Sequence, residues 1–378
     1  MHKKVVTVQY NTCDHVVKAR IPLIKAIQKN GYRVIVVAPT DNMTPMLKDH
    51  GVEHVPIHMT QYGMNPFSEF RTFQKTAHIL NKIKPIVSLN YTVKPNTFGT
   101  IAAEYAQVPV INNIAGAGMI FSSGWSIKRS IVSTLYRRCL KKSRVVFFQN
   151  SDDMQLFLDK KFVRRDQCHR LPGSGVDLKR FTPTEIPKSG VRFLFIGRLL
   201  KLKGIEEYLQ SANTLLDAEN GSGKIEFHIV GEHRNDPAYI NANTLRNLTQ
   251  DPNIFYHGSV DPKQIENFIG TSSCVVLPTY YGEGVPRVLL EASASGRPII
   301  TTDNPGSRDV IEHERNGFSI TSRNVKSLVA AMQRFTHLSY EEKTRMGQFA
   351  RQKVESEFDE TIVIDQYLRQ INQIAKER

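Results

Sequence analysis

Two carboxylates eight positions apart, Glu283 and Glu291, and two cations five apart, Arg198 and Lys203, are the residues whose types and spacing could do chemistry. Glu283 falls on a loop inside VVLPTYYGEGVPRVLLEASASGRPII, residues 275–300, and Glu291 in the helix predicted after it by Val288, Leu289, Ala292 and Ala294. Pro286 suits a first helical turn, whose free N–H groups would point back at the Glu283 loop and favour an anion there. Arg198 and Lys203 flank the turn GRLLKLKG, which feeds another helix; a planar fork and a point charge together suit the gripping of phosphate. Taken singly, Glu291 could equally be a solvated helix residue and Glu283 a complement to a helix dipole, and basic loop residues are commonplace.

The elements that must position these groups read as strand and helix in alternation. Val5–Gln9, Val34–Ala38, Val52–Ile57, Ile86–Leu89, Val108–Asn112 and Arg144–Phe148 are strand patterns, with helices between them such as Ile21–Lys29, Phe67–Lys82 and Asn96–Ala106. After the glycine-rich turn LPGSGVD, which lacks a dinucleotide fingerprint, the alternation restarts with Val191–Ile196, Ile225–Val230 and Ile254–His257. The pattern is α/β: two doubly wound, Rossmann-like domains facing a cleft, with function sought in the loops after strands. The boundaries expected are 1–180, 181–358 and a final amphipathic helix in 359–378, which the resemblance given below implies crosses back to the first domain.

A length of 378 residues favours two domains. No run approaches the ~18 apolar residues of a membrane span, and MHKKVVTVQY enters a strand rather than a signal peptide. Four dispersed cysteines show no metal or redox spacing and fit a reducing cytosol. The net charge of +14 is one-sided: residues 1–180 hold 27 Lys+Arg against 11 Asp+Glu, and residues 181–378 hold 23 against 25. A basic half beside a near-neutral one implies an anionic surface or ligand on one side only.

In that basic half, WSIKRSIVSTLYRRCLKK joins an apolar stripe (Ile127, Ile131, Val132, Leu135, Tyr136) to Arg137, Arg138, Lys141 and Lys142. With Trp125 at its start it has the make-up of an interfacial helix, which does not exclude an ordinary core-facing one. Three strand-end loops there, with Asn11 to His15, Asn90 to Asn96 and Asn112 to Gly118, carry polar groups. Asn11, Asp14 and Asn96 read as helix caps, whereas Lys94 just before a helix start needs a compensating anion.

The order Gly197-Arg198 to Lys203-Gly204, Ile229-Val230-Gly231, Gly258-Ser259-Val260, then EGVPRVLLEA over 283–292, resembles the retaining glycosyltransferases of GT-B fold, family 4, over nearly the whole chain. TVKPNTFGTIAAEYAQVPVINNIAGAG and GSGVDLKRFTP are more narrowly similar to bacterial transferases that extend undecaprenyl-diphosphate-linked sugars, the α-1,3-N-acetylgalactosaminyltransferases among them. The resemblance implies Glu283, Arg198 and Lys203 as catalytic. It implies Gly197, Gly231, Val260, Gly284, Val285 and Glu291 as further donor contacts, and His15, Lys94 and Asn113 as acceptor contacts. It implies no metal and no cofactor beyond a nucleotide sugar, with UDP favoured.

The expected activity is retaining transfer of a hexose or N-acetylhexosamine to a polyprenyl-diphosphate-linked sugar, by a protein peripheral on the inner face of the cytoplasmic membrane. A sugar-nucleotide epimerase of the same architecture, and transfer to a soluble acceptor, are the alternatives. Nucleic acid as partner is set aside for want of an aromatic and basic groove.

Overall fold

The computed structural model describes residues 3–60, 66–116, 127–218 and 224–378. The chain divides into two units, Met1–Ser174 with Thr361–Arg378, and Gly175–Glu360. The first division falls at Gly175 rather than at 181, because Val176 already bridges Asp359 within the second unit.

In the first unit β1 (Val5–Gln9), β2 (Arg33–Ala38), β3 (Glu53–Pro56), β4 (Val87–Tyr91), β5 (Val110–Ile114), β6 (Val145–Phe148) and β7 (Cys168–Arg170) pair in parallel in the order β3-β2-β1-β4-β5-β6-β7. The helices are α1 (Cys13–Ala19), α2 (Ile21–Lys29), α3 (Thr44–Asp49), α4 (Pro66–Ile83), α5 (Thr100–Tyr105), α6 (Ile127–Cys139) and α7 (Ser151–Asp159). Every residue of β4, β5 and β6 is buried, as in parallel strands covered on both faces. The polar residues among them are satisfied sideways: Gln9 donates to Ser88, Ser88 to Asn90, and Asn112 to Ser143. Cys13–Ala19 is helical where a loop was expected. Its cap is Thr12, which accepts from His15 N, rather than Asn11 or Asp14. Asn150 likewise caps α7.

The second unit contains β8 (Val191–Ile196), β9 (Ile225–Val230), β10 (Ile254–Tyr256), β11 (Cys274–Leu277), β12 (Ile299–Thr302) and β13 (Gly317–Ile320), in the order β10-β9-β8-β11-β12-β13. With them run α8 (Ile205–Ala218), α9 (Ala242–Leu248), α10 (Ile265–Gly270), α11 (Arg287–Ala294), α12 (Ser307–Val310), α13 (Val325–His337) and α14 (Tyr340–Glu357). The last helix, α15 (Glu360–Glu377), sets Val363, Tyr367, Ile371 and Ile374 into the core of the first unit beside Val8, Leu89 and Phe147. In both sheets the strand order reverses between the first and fourth strands, so each has one switch point, β1/β4 and β8/β11, where α/β sheets take ligands.

One face of the second sheet carries a titratable row. Arg192 holds Glu226 at 2.9 Å, Glu226 meets His228 Nε2 at 3.2 Å, and His228 Nδ1 lies 2.9 Å from His257 Nε2. Burial, helped at both by the Arg192 charge and opposed at His228 by the hydrogen bond to Glu226, holds both imidazoles below the usual value of 6.5. The unfolded chain therefore binds more protons than the folded one between those depressed values and 6.5, so stability rises with pH there. The melting temperature is expected to fall as pH drops below about 6.5, and the slope to flatten in His228→Gln. An unaltered slope in that variant would place the acid sensitivity elsewhere.

Candidate functional site

The residues singled out in the second unit meet at its switch point. β8 ends at Ile196, and the Gly197–Gly204 segment turns back so that Leu202 O accepts from Tyr280 N at 2.9 Å and from the Thr279 hydroxyl at 3.3 Å. Those bonds lace the loop after β8 to the loop after β11. Gly204 closes the turn at φ +78, and a Cβ there would stand 2.3 Å from Pro278 O; only glycine lets the loops approach this closely.

Lys203 Nζ consequently lies 2.8 Å from both carboxylate oxygens of Glu283, with side-chain exposures of 12% and 18%. The Thr279 hydroxyl stands 3.3 Å from the same carboxylate, and Thr302 and Asn304 fix Thr279 by donating to its carbonyl. Arg198 is exposed on the same loop. The arrangement offers Lys203 beside a half-screened carboxylate and Arg198 exposed on the same loop, at the end of a sheet where an anionic group can enter.

Glu291 is on α11 and accepts from Arg287, one turn earlier, at 3.1 Å. The helix begins at Arg287, with Pro286 as its N-cap residue, one position outside the expected first turn. Gly284 and Val285 are buried behind it. Gly231 N donates to Gly258 O and Gly197 N to Val230 O, which binds the loops after β8, β9 and β10 into one surface; Val260 packs against the unit's core.

Sequence reasoning passed over three supports of this loop. Gly306, at φ +81, backs onto Gly284, whose carbonyl a Cβ would strike at 1.4 Å; the signal was Pro305-Gly306 just before α12. Tyr280 meets Glu207, whose carboxyl is pushed up first by burial, and Arg323 lies 4.5 Å from the Tyr280 ring. Burial, then the Glu207 charge, carries the Tyr280 phenol to about 12. No spacing rule points to that pair, because it joins α8 to two distant loops.

The expected acceptor residues of the first unit are held by different neighbours. His15 is exposed in the first turn of α1, its ring 5.7 Å from that of Tyr10. Asn113 is buried, and its amide donates to the Tyr367 hydroxyl of α15 at 2.8 Å. Lys94 is buried too: the compensating anion is the chain's own Glu69, at 2.6 Å with side-chain exposures of 9% and 5%, and Thr60 takes a further ammonium proton.

On the basic helix, Val132, Tyr136 and Cys139 face the core, Leu135 is half-buried and Ile131 is 45% exposed, so the apolar stripe divides instead of facing outward together. Arg137, Arg138, Lys141 and Lys142 are exposed, Lys142 in an ion pair with Glu104. Ile127 starts the helix, but its side chain and Trp125 lie outside the described residues. No helix among the described residues is long and apolar enough to cross a membrane, and none of their His, Cys, Asp and Glu gather as a metal site.

Residues 178–353 match the family of glycosyl transferases group 1, and residues 4–150 match the glycosyl transferase 4-like family. The chain is 25% identical over 376 residues to the N,N'-diacetylbacillosaminyl-diphospho-undecaprenol alpha-1,3-N-acetylgalactosaminyltransferase of Campylobacter jejuni, covering 94% of this chain and 95% of that one. It is 27% identical over 278 residues to the UDP-Gal:alpha-D-GlcNAc-diphosphoundecaprenol alpha-1,3-galactosyltransferase of Escherichia coli, covering 68% of each. Among solved structures, a glycosyltransferase from Rickettsia africae matches with a TM-score of 0.81 at 17% identity, and Anabaena HepE in complex with UDP-glucose with 0.76 at 15%; each comparison covers 100% of both chains. At such identities these two likenesses are of fold.

Proposed function

Since the chain is a glycosyltransferase of GT-B fold, with a 4-like domain followed by a group 1 domain, we propose that it moves a hexose or N-acetylhexosamine from a UDP-sugar to a polyprenyl-diphosphate-linked sugar, with retention. The observation that carries this is the Lys203–Glu283 pair at the switch point of the group 1 domain, with Arg198 exposed on the same loop as Lys203. The undecaprenol-linked acceptors named for the Campylobacter and Escherichia relatives support the choice of acceptor class.

In this reading Arg198 and Lys203 hold the donor diphosphate and meet the charge that grows on its leaving oxygen. Glu283 stands beside the sugar carbon as positive charge develops there, kept in place by Lys203 and Thr279. The acceptor hydroxyl bonds to that carbon on the face the diphosphate leaves, and its proton passes to the departing phosphate oxygen, so no strong protein base is called for. Glu291 would take the ribose hydroxyls, and Gly197, Gly231 and Val260 would border the nucleotide.

The test incubates the protein with a panel of UDP-sugars and a short-chain polyprenyl-diphosphate-linked N-acetylhexosamine, then reads the anomeric configuration of the product by NMR. An α-linked product from an α-linked donor is expected, with turnover undiminished in EDTA. An inverted product, or interconversion of UDP-N-acetylhexosamine without acceptor, would overturn the reading.

We place the protein on the anionic inner leaflet through the exposed Arg137, Arg138 and Lys141 with Lys142 beside them. Each cation near such a surface contributes about 1 kcal/mol, fading within a Debye length. Changing all four to Gln is expected to weaken binding to anionic vesicles and to raise KM for the lipid acceptor well beyond that for the donor. Equal vesicle binding by parent and variant at low salt would remove this surface from the account.

A further inference from the structure

The amino-terminal edge of the first sheet, opposite its β1/β4 switch-point loops, carries a cavity of its own. Pro109 precedes β5, Lys141 to Arg144 precede β6 and Arg164 to Gln167 precede β7, so these segments share the amino ends of three neighbouring parallel strands. α15 runs back to the same edge: Arg378, just beyond it, donates to Pro85 O at 3.0 Å and to Gln107 O at 2.7 Å. Against α15 opens a cavity of about 650 Å³, lined by Lys141, Lys142, Arg144, Arg164 and His169, with Asp166 as the only acid of its lining among the described residues. A smaller one of about 310 Å³ shares His169 and Gln370 with it and adds Gln366 and Arg369, so the two form one groove along the helix. On this face α15 covers β6 through Tyr367 and Ile371 beside Phe147, while His169, the partner of Phe147 on the edge strand β7, is half-buried.

The cations there are under-compensated. Lys142 pairs with Glu104, Arg144 with Glu377 at 2.6 Å and Arg164 with Asp166 at 3.2 Å, but every side chain in these pairs is about half-exposed or more. Such pairs contribute little and exchange readily for an anion that a guanidinium can hold with two bonds. Lys141 has no ion-pair partner among the described residues, and Arg164 donates to its carbonyl, which fixes the arginine in the cavity wall. Guanidinium and ammonium groups only donate, and phosphate oxygens are the acceptors that match them. Gln366, Gln370 and Gln373 line the groove from α15 with amides that both donate and accept, as hydroxyls do.

We infer that this groove binds a phosphate ester of a polyol, its phosphate among Lys141, Arg144 and Arg164 and its hydroxyls along the glutamines. The site is separate from any acceptor held at the β1/β4 switch point, at the other edge of the sheet. Such an ester reaches the chain free in solution or as the headgroup of an anionic lipid. Only the second source rests on the placement at the inner leaflet proposed above, with which the site shares Lys141 and Lys142.

Two arms separate the sources. In the first, glycerophosphoglycerol is titrated into the chain and followed by phosphorus NMR. In the second, the chain is sedimented with phosphatidylcholine vesicles that carry equal surface charge as phosphatidylglycerol or as oleate. Both arms compare the parent with Arg144→Gln/Arg164→Gln, two exposed positions whose substitution should leave the melting temperature within about 2 °C. The double variant is expected to weaken headgroup binding about tenfold or more, since two charge-assisted forks are lost. In vesicles the parent should favour phosphatidylglycerol over oleate and the double variant should not, whereas Arg137→Gln/Arg138→Gln, outside the groove, should weaken attachment to both lipids alike.

Binding of the free headgroup that weakens in the double variant supports the site with a soluble ester as ligand. A preference for phosphatidylglycerol that vanishes in the double variant, without binding of the free headgroup, supports it with the lipid as ligand. Headgroup recognition in neither arm, or recognition equal in parent and double variant, would overturn the site and leave its cations as part of a general positive surface. A parent that binds the free headgroup but no vesicle would sink the leaflet placement and leave the site standing.

Discussion

Replacing Lys203 with alanine is expected to lower kcat by about 10²–10³, the scale on which removal of one preorganised charge-stabilising donor is felt. Lys203 is fixed by the carboxylate it spans, and Gly204 behind it is locked against Pro278. Its charge is therefore in place before a diphosphate arrives, and little reorganisation is needed during reaction. Arg198→Ala should fall in the same range, since the exposed guanidinium can close on the diphosphate from the open side of the loop. The losses should appear in kcat more than in donor KM, because the charge to be met grows as the bond breaks. Glu283→Gln tests the other half: the amide keeps the shape but leaves Lys203 without its counter-charge, so turnover should fall while UDP binds at least as well. Full turnover in Lys203→Ala would remove this loop from the chemistry.

The second large effect is on stability. Lys94→Met should destabilise the first unit by about 3–5 kcal/mol, because it leaves Glu69 charged and alone in a site where it is 3% exposed. Glu69→Leu should cost a similar amount by stranding Lys94. The double variant should recover much of the loss, since two apolar groups of like volume carry no desolvation penalty. Urea unfolding of the three variants measures this cycle. Single variants that cost less than about 1 kcal/mol would mean that water reaches the pair and screens it.

The sheet architecture was legible because parallel strands buried on both faces leave near-continuous apolar runs, as in Val145–Phe148 and Cys274–Leu277. The meeting of Lys203 with Glu283 was legible because they lie on loops that a doubly wound order must bring to one edge. What escaped was long-range pairing of single side chains. Nothing near Lys94 in sequence announces Glu69, which arrives from α4, 25 positions earlier, and no periodicity links Tyr280 to Glu207. Capping was misassigned around Thr12 for the ordinary reason that Asn11, Thr12 and Asp14 stand within four positions and share the same preference. On α6 the apolar stripe was real but wider than the buried face, which left Ile131 outside.

The return of α15 to the first unit governs how this protein can be made. Lys4 donates to Ala375 O across 371 positions, and Tyr367 sits in the same core as Leu89 and Phe147. During synthesis the first 174 residues therefore emerge without the helix that covers one face of their sheet, and wait while the whole of Gly175–Glu360 is translated. The intervening unit has its own core and can close first, so the older part of the chain becomes native last. In that interval the uncovered side chains of Val8, Leu89 and Phe147 form an apolar surface on a chain still attached to the ribosome. Of all the parts of the chain, its N-terminal sheet is the one that waits longest for its cover.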